Sequence, residues 1–400
     1  MSTPAPITAP VTPASIVMVE AFLALVSRNG SLAGQDLRGL DLRGQDLRGR
    51  DLSSCALTGA DLSGCALAGA NLAGANLSGQ DLSNRDLSGT VLTGANLSGC
   101  ALAGADLTGA NLSRQDLSNR DLSGTVLTGA NLTGANLSGQ DLSNRDLSGT
   151  FLTEANLTRA DLTGANLFGA NLSGQDLSKR NLSGTDLTGA DLSGCALAGA
   201  ILAGANLSGQ DLSNRDLSET VLTGANLSGC ALARANLAWA DLRWANVTGS
   251  NLDGANLTRA KLSGLDLSNR DLSGCVLINT DLGGAILTGV NLAGQDLRIR
   301  DTRGHLMTPA QIDRARLDLL RRTQGRYRGG IADLTGADLT GADLTRADLT
   351  GANLSGRDLS RCVLTGADLT GAILTGANLT GTNLSGAVGL RVKRRRLTVP

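Results

Sequence analysis

The sequence predicts an all-β solenoid, a parallel β-helix of short stacked coils. Three observations predict it. From residue 32 to residue 297 every fifth residue is Leu, with Val247 the one exception, for 54 consecutive pentads. The residues around each Leu repeat as well. Ala95-Asn96-Leu97-Ser98-Gly99 shows the unit: a small residue, then Asp or Asn, the central Leu, Ser or Thr, and usually Gly. Aromatic residues make up only 2% of the chain, too few for an ordinary globular core.

A period of five excludes the two simplest alternatives. At about 100° per residue, five helical steps leave each Leu roughly 140° from the last, so no apolar stripe forms. In a straight strand an odd period turns successive Leu to opposite faces. The pattern works if each pentad is a short extended side followed by a corner. The Leu and the residue two before it then point inward together, and Gly suits a corner that needs unusual dihedrals. One buried Leu cannot offset the entropy of ordering five residues, so stability must be shared between stacked coils.

The A-[DN]-L-[ST]-G unit, sustained over this length, resembles the pentapeptide-repeat protein family. The resemblance implies a right-handed quadrilateral parallel β-helix with four pentads per coil. The 54 pentads would then make 13.5 coils, a rod of roughly 65 Å at about 4.8 Å per stacked strand.

Taken in order, residues 1–13 are rich in Pro, Thr and Ala and read as disordered. Residues 14–30 carry a short apolar helix, preceded by Thr12-Pro13 and ended near Asn29-Gly30, read as a cap over the first coil. There is no basic n-region, and Glu20 interrupts the apolar run, which argues against a signal peptide. Residues 31–301 are the main repeat block. Residues 302–330 break the pattern with seven Arg and two Asp. Thr308-Pro309-Ala310-Gln311 is a capping-box signature that opens a predicted helix at 309–322 in this basic insertion. Residues 331–388 resume the repeat for 11 pentads, out of phase by two, and should stack on the first block. Residues 389–400 form a basic tail.

Two kinds of inward residue depart from Ala. All seven cysteines sit two before a central Leu, which reads as buried free thiols and fits a reducing cytoplasm. A recurring longer unit also puts Gln and then Arg at successive inward positions: Gln80/Arg85, Gln115/Arg120, Gln140/Arg145, Gln175/Arg180 and Gln210/Arg215. Gln45/Arg50 and Gln295/Arg300 repeat it. A buried Arg needs partners. The following Asp or the corner carbonyls could supply them, or the Arg heads reach solvent. The expected role is structural.

Little in the chain suggests catalysis. His305 is the single histidine, and the Asp and Ser residues form ladders that do not converge on a pocket. No catalytic, cofactor-binding or metal site is expected, and no apolar run is long enough to span a membrane. The most irregular outward surface is 232–261. There Arg234, Trp239, Trp244 and Arg259 replace corner glycines, with Arg243 beside them. Trp239 and Arg259, 20 residues apart, should stack on one edge in cation–π contact. Trp and Arg are the residues most enriched at binding hot spots.

These features suggest a non-enzymatic scaffold rod that presents flat sides and a Trp/Arg patch to a protein partner. The resemblance implies an alternative. Some pentapeptide-repeat proteins mimic B-form DNA, bind DNA gyrase or topoisomerase IV, and give quinolone or toxin tolerance. Residues 1–300 carry a net charge of −7, which suits that reading, whereas residues 301–400 carry +6. Members of that group also dimerise through a C-terminal helix, and no such helix is visible here. The basic tail suits nucleic acid or an acidic partner, but lacks the interleaved aromatics of single-strand grooves. Ice binding by Ser/Thr ladders is a further alternative, weakened by the free mixing of the two residues.

Overall fold

The computed structural model of the chain describes residues 31–272, 274–278, 280–282, 285, 290, 339, 344, 349, 352 and 354–390. The expected cap helix, the basic insertion with its helix, the point where the repeat resumes and residues 391–400 lie outside the described residues. So do Gln295, Arg300 and His305. The chain divides into two compact units, Met1–Gln175 and Asp176–Pro400.

In the first unit each pentad ends in a tight turn. Gln35 N–H donates to the Leu32 carbonyl at 3.1 Å, and Ala75 N–H to the Leu72 carbonyl at 3.0 Å. The third residue of nearly every turn has positive φ, +70° at Gly34 and +73° at Gly79. A bond from residue i+3 with positive φ at i+2 is the type II pattern, which explains the glycine in the repeat.

Residues 20 apart pair in parallel, as at Asp36↔Ala56, Asp41↔Asp61 and Asp141↔Asp161. Twenty residues are four pentads, so each coil has four sides. We number them by their central residues: side 1 holds Leu32 and Leu52, side 2 Leu37 and Leu57, side 3 Leu42 and Leu62, side 4 Leu47 and Leu67. Where neighbouring coils pair, three kinds of inter-coil bond join them. Leu72 N–H donates to the Val91 carbonyl at 2.8 Å, Val91 N–H to the Ala70 carbonyl at 3.0 Å, and the corner Gly74 N–H to the Thr93 carbonyl at 2.9 Å. The fold is a right-handed quadrilateral β-helix. Inside, Leu72, Leu77, Leu82 and Leu87 are fully buried, with Ala70, Ala75 and Thr90 beside them.

The second unit repeats this arrangement from Asp176↔Ala196 to Lys261↔Asp281. Val247 occupies its Leu site fully inside, at 2% exposure. Within 354–390 the same pairing holds in the shifted phase, at Asp358↔Asn378, Val363↔Asn383 and Asp368↔Val388. Leu374, Leu379 and Leu384 of the last described coil are half-buried.

Candidate functional site

The inward polar residues find partners at the corners. The Gln80 side-chain amide donates to the Leu57 carbonyl at 2.8 Å and the Ala60 carbonyl at 3.0 Å. Gln210 does the same with Leu187 and Ala190, at 2.7 and 3.0 Å. Gln115, Gln140 and Gln175 each donate to the Leu carbonyl 23 residues earlier, and all five Gln are buried. The cysteines use the same acceptor, as Cys55 Sγ does with Leu32 O.

The inward arginines Arg85, Arg120, Arg145, Arg180 and Arg215 are half-buried rather than enclosed. Among the described residues no ion pair joins any of them to an aspartate. The Nε atoms of Arg120 and Arg145 are buried without a hydrogen-bond partner. Arg270 shows the carbonyl solution: its guanidinium donates to Ser250 O and Val247 O, both at 2.7 Å.

Outward, the four sides of the first unit differ in charge. The residue before each side-3 Leu is Asp41, Asp61, Asp81, Ala101, Asp121, Asp141 and Asp161 in successive coils. Side 4 adds Asp46, Asp86, Asp106 and Asp146. Sides 1 and 2 carry mostly Asn at this position, and there the amides link coil to coil. Asn156 Nδ2 donates to Asn136 Oδ1 and Asn136 Nδ2 to Asp116 Oδ1, both at 3.0 Å. Carboxylates cannot chain in this way. Instead Asp141 accepts from the Ser143 hydroxyl at 2.6 Å and the Ser143 N–H at 3.0 Å. Those bonds hold the Asp141 carboxyl below the usual range, as Ser123 does for Asp121 and Ser83 for Asp81. Arg43 pairs with Asp41 at 2.6 Å and reaches Asp61 at 3.5 Å. The Asp runs are readable in the sequence, but their gathering on sides 3 and 4 appears only when every twentieth residue is aligned.

In the second unit, side 3 carries the aromatic patch. Trp239 and Trp244 stand at its two corners with φ of +64° and +57°, and are 52% and 67% exposed. The Arg259 guanidinium lies 4.4 Å from the Trp239 ring centroid, and that of Arg243 lies 5.4 Å from Trp244. Between the corners Asp241 is buried, gripped by Arg243 at 2.6 and 2.8 Å and reached by Lys261 at 3.3 Å. Burial works to raise the Asp241 carboxyl, but the bonds from Arg243 and the nearby Lys261 charge hold it below the usual range. Ile201, Val221, Asp241 and Lys261 pair in succession, which places an apolar step beside this ionic cluster. Arg234 occupies the corner after side 1, with φ of +57°.

Among the described residues no group of three His, Cys, Asp or Glu could hold a metal ion, and no helix is long and apolar enough to cross a membrane. All seven cysteines are buried and free. Burial pushes the Cys230 and Cys275 thiols up to about 11.

The model for pentapeptide repeats matches residues 31–64, 70–298 in overlapping copies, and 332–386. The chain belongs to the pentapeptide-repeat family. Solved pentapeptide-repeat proteins resemble it. HetL, involved in heterocyst differentiation regulation in the cyanobacterium Nostoc sp. strain PCC 7120, is 24% identical, with 93% of this chain and 94% of that one covered and a TM-score of 0.14. QnrB1, a plasmid-mediated fluoroquinolone resistance protein, is 17% identical over 61% of this chain and 96% of that one, with a TM-score of 0.20. Rfr23 from the cyanobacterium Cyanothece 51142 is 26% identical over 44% and 93%, with a TM-score of 0.14. No curated protein sequence matches. Membership rests on the family match, and the repeat itself builds ladders and corners rather than a converging pocket.

Proposed function

We propose that this pentapeptide-repeat protein is a non-enzymatic scaffold that docks a protein partner on the side-3 surface around Trp239 and Trp244. The observation that carries this is the placing of both tryptophans of the chain, more than half exposed, at the two edges of one flat side. Each lies against an arginine. Large aromatic and Arg side chains held in place by their neighbours are the usual anchors of protein interfaces. The left-handed corner dihedrals support the reading, because a bulky residue there is unfavourable for the fold alone. Free buried thiols suit a cytoplasmic setting. The test is capture of partners from a lysate of the source organism by the wild-type chain and by the Trp239→Ala/Trp244→Ala variant. A partner held by the first and lost by the second is expected. An identical set would count against the patch.

A second reading is favoured by one observation, the carboxylate ladder on side 3 of the first unit. It would stand in for DNA phosphates toward DNA gyrase or topoisomerase IV, with quinolone or toxin tolerance as the outcome. The half-buried Arg85 and Arg145 act on Asp81, Asp121 and Asp141 from within and offset part of that charge, so the scaffold reading ranks first. A gyrase supercoiling assay with and without a quinolone decides. Inhibition or protection that weakens in Asp→Asn variants of the ladder would reverse the ranking.

A further inference from the structure

We propose that the Trp239/Trp244 surface of one copy of this chain docks on the side-3 carboxylate ladder, Asp41 to Asp161, of a second copy. The inference rests on reading the Trp surface as a docking site, and it names the occupant.

Charge is the first argument. From Lys179 to Asp281 this side and its edges carry Lys179, Arg243, Arg259 and Lys261 against Glu219, Asp241 and Asp281, a small positive excess. The ladder carries six aspartates, with Arg43 on that side and Arg159 at its corner as the cations on its surface and edges. It stays net acidic although the half-buried Arg85 and Arg145 offset part of the charge from within. Every ladder carboxylate whose shift is resolved is held ionised by a hydrogen bond from the residue two later.

Spacing is the second. Both surfaces repeat once per coil, at about 4.8 Å where neighbouring coils pair, as at Asp41↔Asp61, Asp81↔Ala101 and Asp141↔Asp161 on the ladder and Asp241↔Lys261 on the patch. Cations one coil apart on the patch therefore match carboxylates one coil apart on the ladder. A globular acidic partner has no such built-in register.

Shape is the third. The corners bounding the ladder are mostly glycine: Gly39, Gly59, Gly79 and Gly99 along one edge, and Gly44, Gly64, Gly104 and Gly124 along the other. An added Cβ at Gly39, Gly59, Gly79 or Gly44 would meet nothing within 4 Å, so the edges are open at those corners, whereas one at Gly104 would meet the Asn84 side chain. The two tryptophans project from the two edges of the patch. Laid on the ladder, they straddle a bare surface and cover its glycine corners, while Arg243 and Lys261 face the carboxylates. The contact is heterologous, joining unlike surfaces. It involves one narrow side, which places it among weak, salt-sensitive associations.

The experiment uses the full chain. Sedimentation velocity and intrinsic tryptophan emission are recorded together from about 1 to about 100 µM protein, at low and high salt. Both tryptophans of the chain lie in the patch, so emission reports on that surface alone. Average mass should rise with concentration at low salt. Emission should shift to the blue in parallel, and high salt should reverse both. The Asp121→Asn/Asp141→Asn variant should associate at least tenfold more weakly and lose the shift, although neither residue touches a tryptophan. Asn is the residue sides 1 and 2 already use at this position, so the fold is retained, which circular dichroism checks. A chain that stays monomeric over the whole range overturns the proposal, as does association that the Asp→Asn variant leaves unchanged. The docking reading survives either result if Trp239→Ala/Trp244→Ala still abolishes capture of another protein.

Discussion

At the scale of single residues, the corner decides what the repeat tolerates. The third residue of nearly every turn sits in the left-handed region, which an L side chain enters at a cost of roughly 1–2 kcal/mol. Gly204, with φ of +66° and nothing within 4 Å of an added Cβ, isolates that backbone cost. Gly204→Ala should lower stability by about 1 kcal/mol, read from a chemical denaturation midpoint. Glu219, at φ +59°, lets the reverse be tested. Glu219→Gly should gain about 0.5 kcal/mol, the added freedom of glycine in the unfolded chain taking back the remainder. Asn84, Asn144, Asn214 and Asn269 occupy the same kind of corner, as the residue other than glycine that best accepts it. Inward, Gln210 is buried with its amide on two carbonyls, so Gln210→Leu should cost about 1–3 kcal/mol by leaving the Ala190 carbonyl without that donor.

At the scale of a side, the ladders set the response to pH. Hydrogen bonds from Arg38, Arg43 and Arg48 hold Asp36, Asp41 and Asp46 at about 2. An unfolded Asp titrates near 3.9. The folded value is the lower one, so this stabilisation is complete above the unfolded value and is lost as pH falls toward 2. The melting temperature should therefore drop between about pH 5 and pH 2, and Arg43→Ala should remove part of that drop. A melting temperature that rose on acidification would show that like-charge repulsion along side 3 dominates. The geometry points the other way: Asp141 lies one coil below Asp161 and is still held below the usual range by Ser143. Much of this architecture is legible in the sequence. Leu32 to Leu297 admits one way of burying every fifth residue, and the 20-residue spacing of Trp239 and Arg259 anticipates their contact. The sorting of Asp and Asn onto different sides is not legible until a coil length is assigned. The acceptors of Arg270 are hidden for another reason: the direction of the Ser250 and Val247 carbonyls is set by corner geometry, which residue types alone do not specify. Arg243 and Trp244 are sequence neighbours, so no spacing rule announces their contact.

At the scale of the whole molecule, the question is how much of the chain must open together. Most described pentads are tied to neighbouring coils by backbone bonds, and their Leu side chains are buried. No pentad gains enough from its own burial to stay ordered alone, so opening one exposes its neighbours and spreads along the stack. The cysteines report on this directly. Cys55, Cys65 and Cys100 lie in the first unit, and Cys195, Cys230, Cys275 and Cys362 in the second, all buried and free. Burial also raises the Cys230 and Cys275 thiols to about 11, so even a transient contact with solvent offers little thiolate at neutral pH. A thiol reagent added to the native protein should label these seven sites far more slowly than the denatured chain. Sites within one unit should react at similar rates, because each needs a cooperative opening rather than a local fluctuation. Site-resolved mass spectrometry across a denaturant series measures the rates individually. Rates that differ widely between Cys55 and Cys65, only two pentads apart in one coil, would mean that single pentads open on their own and that the stack is less cooperative than its hydrogen bonding implies.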